Sequence, residues 1–166
     1  MKTINGVVPV MLTPFTTDDQ IDYPALAKLI DWYLAKGVDA LFAVCQSSEM
    51  QYLSLQERVE LARFVVHHVA GRIPVIASGH ISDDLAAQKE ELLAMSQTGI
   101  DALVLVTNHL DPRNEGSEFF SLPCNRCWRC CRFRCRWGCM SVRRRIAVCL
   151  ATTSSPGAPT AAALWF

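Results

Sequence analysis

Polar side chains follow each of four short apolar runs in the first 116 residues of this 166-residue chain. They are Thr13, Gln46 to Glu49, Ser78 with His80, and Thr107 to His109. Hydroxyl, amide and imidazole groups can hold a carboxylate or carry protons. If the four runs are parallel strands, these groups gather at the carboxyl ends of the strands, where parallel barrels place their chemistry.

Several of these residues also have ordinary structural explanations. In an unknown protein, Gln46-Ser47-Ser48 is more often a polar turn than a carboxylate site. His80 and His109 have no evident partner in the sequence, so structural and chemical roles stay open for both. Cys45 is expected to be a small buried side chain, because no basic neighbour in the sequence would favour its thiolate. No metal-binding motif occurs in the first 116 residues, and no metal or cofactor is predicted.

The elements that must position these groups alternate along the chain. Strands are predicted near residues 7, 39, 74 and 101, and one helix lies between each pair. Ser54 and Glu57 have the spacing of a capping box, which marks the start of the second helix. The helices are predicted between Asp22 and Gly37, between Ser54 and Gly71, and from Asp83 to Thr98.

The predicted strands are continuously apolar, which indicates a parallel sheet that is buried on both faces. An open doubly wound sheet and a (β/α)₈ barrel both satisfy this pattern. No glycine-rich phosphate loop follows the first strand, as a dinucleotide-binding domain requires. A full barrel needs eight units, so the fold class is α/β, the N-terminal half of a (β/α)₈ TIM barrel with about four β/α units.

Several segments resemble the dihydrodipicolinate synthase and N-acetylneuraminate lyase family. They are Val8-Pro-Val-Met-Leu-Thr-Pro-Phe15, Leu53-Ser-Leu-Gln-Glu-Arg58, Gly71-Arg-Ile-Pro-Val-Ile-Ala77 and Gly99-Ile-Asp-Ala-Leu-Val-Leu-Val-Thr107. The resemblance covers residues 1 to about 116. It implies a homo-oligomeric (β/α)₈ barrel that binds pyruvate or another 2-keto acid as a Schiff base on a lysine of the sixth strand. A tyrosine at the end of the fifth strand relays protons in such enzymes.

The family signature after the second strand is Gly-Thr-Thr-Gly-Glu, and this chain has Cys45-Gln46-Ser47-Ser48-Glu49 there. The resemblance assigns Ser47 and Ser48 to the binding of the substrate carboxylate. Gln46 stands at the relay position, and an amide cannot pass on a proton as a hydroxyl does. Leu110 stands where many members have a tyrosine that reaches a neighbouring subunit. These departures favour a divergent lyase or aldolase, and the family lysine and tyrosine are absent from the chain.

Residues 117–166 differ sharply in composition from the first 116. The first part holds 8 basic and 15 acidic residues, whereas the second holds 8 basic residues, all arginine, and one acidic residue. Seven of the eight cysteines lie between Cys124 and Cys149. A zinc-binding or nucleic-acid-binding tail is one hypothesis, yet lysine is absent and no hydrophobic periodicity supports a fold. The segment is therefore expected to be disordered, and nucleic acid is not expected as a partner.

A shifted reading frame is the interpretation that we favour for this tail. The codons that can encode Gly138–Ile146, when read from each third base, permit Leu-Tyr-Glu-Cys-Pro-Ala-Pro. Upstream, Arg134–Gly138 permits Pro-Leu-Gly by the same shift. The result resembles the fifth strand of the family, Leu-Tyr-Asn-x-Pro, including the relay tyrosine. The frame would change between Gly116 and Leu122.

The sequence thus predicts a truncated and inactive relative of the pyruvate-dependent lyases. The alternative is a half-barrel that carries a zinc- or nucleic-acid-binding tail. No run of eighteen apolar residues is present and no secretory leader is recognised, so a cytoplasmic protein without membrane spans is expected.

Overall fold

The computed structural model describes residue 4, residues 6–106 and residue 109. Helices and parallel strands alternate along these residues, as the sequence predicts. The elements are α1 Tyr23–Ala35, β1 Leu41–Val44, two short 3₁₀ turns at Gln46–Ser48 and Met50–Tyr52, α2 Leu55–Val69, β2 Val75–Ala77, α3 Leu85–Ser96 and β3 Ala102–Leu103. The fold is therefore α/β, with one helix between successive strands.

The three strands form one parallel sheet in the order β1-β2-β3. Leu41 lies opposite Val75, and Ile76 lies opposite Ala102. The sequence predicts a strand over Asp101–Thr107, but only Ala102–Leu103 form a regular strand in the structure. Val104 extends the pairing by donating its N–H to Ala77 O over 2.8 Å, and Thr107 lies outside the described residues.

The first predicted strand is an extended segment rather than a regular strand. This N-terminal segment, residues 7–13, makes a single parallel bridge to the sheet, between Val10 and Phe42. Met11 N donates to Phe42 O over 2.9 Å, and Phe42 N donates to Pro9 O over 3.1 Å. Pro9 has no N–H to donate toward β1, so the ladder is interrupted at that residue.

The helices begin at side-chain caps. Ser54 accepts from Glu57 N at 3.2 Å, and Glu57 Oε2 accepts from Ser54 N at 2.7 Å, so the predicted capping box is confirmed. Asp84 caps α3 by accepting from Ala87 N at 2.9 Å. The third helix consequently begins one residue after Asp84 and ends at Ser96, inside the predicted bounds.

Both faces of the sheet are buried, which confirms the interpretation of the continuously apolar strands. One face packs on the helices, and its cluster includes Leu41, Val75 and Leu103. The opposite face corresponds to the interior of a barrel. It carries a second cluster consisting of Ile4, Val8, Ala40, Phe42, Cys45, Ile76, Ala102 and Val104.

Candidate functional site

The turn that follows β1, residues 45–49, is held by its own backbone and by one serine side chain. Ser48 Oγ accepts from Cys45 N at 2.6 Å and donates to Cys45 O at 2.7 Å. Thr13 Oγ1 donates to Ser48 O at 2.9 Å, which ties the turn to the N-terminal segment. Glu49 adopts a left-handed conformation with a φ of 59°. The result is a compact turn at the carboxyl end of a barrel strand.

The side chains of this turn divide into two groups. Cys45 and Ser48 are buried, whereas Gln46, Ser47 and Glu49 are exposed. The Ser48 hydroxyl is already engaged on both sides by Cys45, and the Ser47 hydroxyl makes no hydrogen bond within the described residues. The turn can therefore offer a ligand the Ser47 hydroxyl and the Gln46 amide. The assignment of Ser47 and Ser48 to substrate binding stays a prediction.

The burial of Cys45 agrees with its expected role as a small buried residue. The thiol is free, and the residue is only 4% exposed. It contributes to the cluster on the inner face of the sheet. Ser78 is also buried, and its hydroxyl has no hydrogen-bond partner among the described residues. Its backbone N–H donates to Val44 O over 2.7 Å, so Ser78 lies beside the end of β1.

His80 has a structural role in the described part of the chain. Its ring is fully buried, and Nε2 lies 3.1 Å from Val106 N and 3.2 Å from Val106 O. Burial is the main cause that lowers the pKa of His80 from 6.5 to about 4. The ring is therefore neutral at pH 7, and it holds the chain just after β3 close to the loop that follows β2.

His109 lies next to His80, with ring centroids 6.0 Å apart in an edge-on arrangement. Its Nδ1 lies 3.1 Å from Asp83 Oδ1, and its carbonyl accepts from Gln88 Nε2 at 2.8 Å. These contacts give His109 a partner that sequence reasoning did not identify. Leu110, the predicted neighbour-subunit position, lies outside the described residues, as do Thr107 and Asn108.

A buried ion pair lies beside the loop that follows β2. Arg58 Nη2 lies 3.0 Å from Glu91 Oε1, and the two side chains are only 3% and 6% exposed. Glu91 Oε2 also accepts from the N–H groups of Ile81 and Ser82, at 3.0 and 3.2 Å. Burial by itself raises the pKa of Glu91, but these N–H donors and the Arg58 guanidinium outweigh it and hold the pKa below its usual value.

Arg58, His80, Gln88 and Glu91 are together called the buried polar cluster. Sequence reasoning singled out His80 but did not connect it with the other three residues. The sequence indicates part of the cluster on α3, where Gln88 and Glu91 are three residues apart and therefore share one face of the helix. Arg58 gives a weaker signal, because it precedes Val59 on the apolar side of α2. The sequence does not show that these two helices bring the three side chains together.

The described residues contain no group of three or more His, Cys, Asp or Glu side chains that could hold a metal ion. Lys28 and Lys89 lie on helices α1 and α3, and Lys36 caps the end of α1. Lys36 Nζ lies 5.8 Å from the Trp32 ring centre. The lysines of the described residues are thus on the helical layer, away from the strands.

These features define a class of protein: an α/β chain that forms the N-terminal half of a (β/α)₈ barrel, with an exposed polar turn at the carboxyl end of a strand. The sequence matches the family described as "Dihydrodipicolinate synthetase family" over residues 3–117. The chain belongs to this family.

Curated relatives are longer than the matched region. A 4-hydroxy-tetrahydrodipicolinate synthase from Polynucleobacter asymbioticus is 38% identical over 117 residues, which cover 69% of this chain and 38% of the relative. The enzyme of the same name from Methylibium petroleiphilum is 35% identical, over 70% of this chain and 40% of the relative. The chain therefore spans about two fifths of the length of these relatives.

Solved structures of the family superpose on the same part of the chain. Dihydrodipicolinate synthase DapA-2 from Bacillus anthracis aligns with a TM-score of 0.60 and 30% identity, covering 64% of this chain and 36% of that protein. YagE, a prophage protein of the family from E. coli K12 in complex with pyruvate, aligns with a TM-score of 0.56 and 35% identity. This alignment covers 60% of this chain and 33% of YagE. The matched part of this chain corresponds to about a third of each barrel structure.

Proposed function

We propose that this chain descends from a pyruvate-dependent Schiff-base lyase or aldolase and is itself inactive. Family membership and the solved pyruvate complex of YagE support the ligand class. The observation that carries the proposal is the turn at residues 45–49. It follows a barrel strand, and it exposes the Ser47 hydroxyl beside the Gln46 amide, two groups suited to a carboxylate or a keto oxygen.

The chemistry of this class requires a nucleophilic amine. A lysine amine attacks the keto carbonyl, water leaves, and the iminium that forms accepts the electron pair of the carbon–carbon bond. The lysines of the described residues lie on or at the end of helices, whereas this chemistry needs an amine on a strand, at the carboxyl end of the barrel. Gln46 also offers no hydroxyl for a proton relay.

Borohydride trapping tests the proposed inactivity. The full chain is incubated with pyruvate and sodium borohydride, and the intact mass is measured. The synthase from Polynucleobacter asymbioticus serves as the positive control and is expected to gain one reduced pyruvate per chain. No gain is expected for this chain, and a stoichiometric gain would contradict the proposal.

We further propose that residues 117–166 are the product of a shifted reading frame. The Cys- and Arg-rich composition, the absence of lysine and the permitted Leu-Tyr-Glu-Cys-Pro segment support this origin. The segment lies outside the described residues. The 117 matched residues are 38% of their relative, so an intact gene would encode about 300 residues.

Resequencing the gene from codon 100 onward tests the frame. A neighbouring frame that continues through a lysine-bearing strand to about 300 codons, as the 38% coverage of the relative implies, supports the shift. Early stop codons in both neighbouring frames would overturn it. Zinc analysis of the purified chain and the salt dependence of its binding to DNA would then test the alternative tail function.

A further inference from the structure

The buried ring of His80 holds the backbone that follows β3. Its Nε2 lies 3.1 Å from Val106 N and 3.2 Å from Val106 O. In the tautomer that carries its proton on Nδ1, Nε2 accepts from the Val106 N–H, and in the other tautomer Nε2–H donates to Val106 O. Among the described residues, the Val106 N–H has no acceptor other than this ring. The contact between His80 and Val106 is called the latch.

The hydrogen-bond geometry of the latch suits a neutral ring only. A doubly protonated imidazole has two N–H donors and no acceptor. The described residues offer it one acceptor, Val106 O, which already accepts from His109 N at 3.2 Å. Nδ1 is buried and has no hydrogen-bond partner among the same residues. In either tautomer, a second proton therefore leaves both Nδ1–H and the Val106 N–H without an acceptor, which is costly in a buried place.

The charges around the ring do not compensate for that proton. Arg58 on α2 and His109 after β3 disfavour the charged ring, and Glu91 on α3 favours it. The Glu91 carboxylate is, however, already bound by Arg58 and by two backbone N–H groups. Asp83 contacts His109 rather than His80. Burial, as the main cause, therefore lowers the pKa of His80 to about 4 in spite of the nearby carboxylate.

We propose that the latch is a proton-sensitive device, in which a proton from solvent binds to His80 and releases Val106 while the strands stay paired. The adjoining ladder does not involve His80, since Val104 N donates to Ala77 O over 2.8 Å. His109 also has a separate hydrogen bond to α3. The release is therefore a local opening at the carboxyl ends of β2 and β3, and it does not depend on pyruvate binding.

Amide hydrogen exchange of the full chain, followed by NMR at pH 7.5 and pH 5, tests the latch. Protection factors are compared, because they correct for the intrinsic effect of pH on exchange. A ring pKa of about 4 in the closed latch and about 6.5 in the open one predicts that the protection factor of the Val106 amide falls about 25-fold at pH 5.

Urea separates a local opening from unfolding of the whole chain. A local opening exposes little surface, so low urea concentrations should leave exchange of the Val106 amide unchanged. The amide of Leu61, a fully buried residue of α2, should exchange faster as urea is added, because its exposure requires wider unfolding.

Two histidine variants assign the effect to one ring. His80→Gln removes the titrating group but keeps an oxygen that can accept from the Val106 N–H, so the fall should shrink to less than about twofold. His109→Gln is the matched control, because it leaves His80 in place, and it should keep the fall at about 25-fold. Protection of the Leu61 amide verifies that each variant folds.

Four results would overturn the proposal. An unprotected Val106 amide at pH 7.5 would show that the latch does not form. A protection factor that stays constant down to pH 5 would show that the proton does not open it. An equal fall in His80→Gln would assign the effect to another group. Exchange of Val106 that depends on urea as strongly as that of Leu61 would show that the chain opens as a whole.

Discussion

The turn at residues 45–49 and the buried polar cluster lie after neighbouring strands, yet they use polar residues in opposite ways. The turn engages one side chain, Ser48, to hold its backbone, and it exposes Gln46 and Ser47. The cluster buries every polar side chain that it contains, with Arg58 and Glu91 3.0 Å apart.

The difference shows that position at the carboxyl end of a barrel strand does not by itself make a polar residue functional. Groups in the cluster join α2, α3 and the loop after β2, because a buried charge needs partners. Groups in the turn are left exposed, where a ligand can reach them. Substitutions in the cluster should therefore reduce stability, and substitutions of exposed turn residues should not.

The largest effect is expected from Glu91→Gln. The amide removes the charge that balances Arg58, and in either orientation its NH₂ group faces a donor, either the Arg58 guanidinium or the N–H groups of Ile81 and Ser82. The free energy of unfolding should fall by about 3–5 kcal/mol, as measured by urea denaturation. Glu90→Gln, at an exposed neighbour, is the control. Equal losses in both variants would contradict a structural role for the pair.

The second prediction concerns the pH dependence of stability. The pKa of His80 is about 4 in the folded chain, below its ordinary 6.5, so the unfolded chain binds the proton first as the pH falls. The free energy of unfolding is therefore highest above pH 7, and it falls as the pH approaches 4. The expected loss is about 2 kcal/mol between pH 7.5 and pH 5.

His80→Gln should remove that loss, whereas His67→Gln, at an exposed helical position, should keep it. Urea denaturation at both pH values measures the difference. The carboxylate of Glu91 also loses its contribution in acid, but this loss begins near the ordinary pKa of 4.5, below the two pH values compared, and is complete once the pH has passed its lowered folded pKa. An unchanged pH dependence in His80→Gln would show that another group causes the loss.

A smaller effect is expected inside the turn. Ser48→Ala leaves the buried Cys45 N–H without its acceptor, which should cost about 1.5 kcal/mol. Ser47→Ala removes an exposed hydroxyl of the same type from the adjacent residue and should change stability by less than about 0.5 kcal/mol. Thermal unfolding of the pair gives the comparison. Equal values would mean that the two serines do not differ in role.

The smallest effect is expected from Gln46→Thr, which restores the residue type of the family signature at an exposed position. Stability should stay within about 0.5 kcal/mol of the original chain. Borohydride trapping of this variant with pyruvate should still give no adduct, because the hydroxyl does not replace the missing lysine. An adduct would show that a lysine of this chain reaches the site.

Much of the fold was predictable because it depends on local rules. Periodicity and caps located all three helices, and the Ser54–Glu57 capping box formed as expected. The N-terminal segment departed from the predicted strand at Pro9, which lacks the N–H that a ladder requires. Element ends also differed, because the Asp84 cap rather than Asp83 starts α3.

The candidate site was less predictable, since contacts between distant residues decide it. Cys45 was correctly expected to be buried, and the turn was correctly located. The sequence left the histidines open, and the structure gave His80 a contact with Val106, 26 residues away. It also gave His109 a contact with Asp83. No spacing rule predicts such pairs.

No membrane-spanning helix is found among the described residues, since none is long and apolar enough to cross a bilayer. The sequence alone determined the helices, the parallel apolar strands and the family, because these depend on residue type and short-range spacing. Only the tertiary structure decided which polar groups are engaged and which are exposed. Burial makes that distinction, since most polar groups removed from water need a partner and the fold determines which distant residue supplies one; the Ser78 hydroxyl is one exception among the described residues.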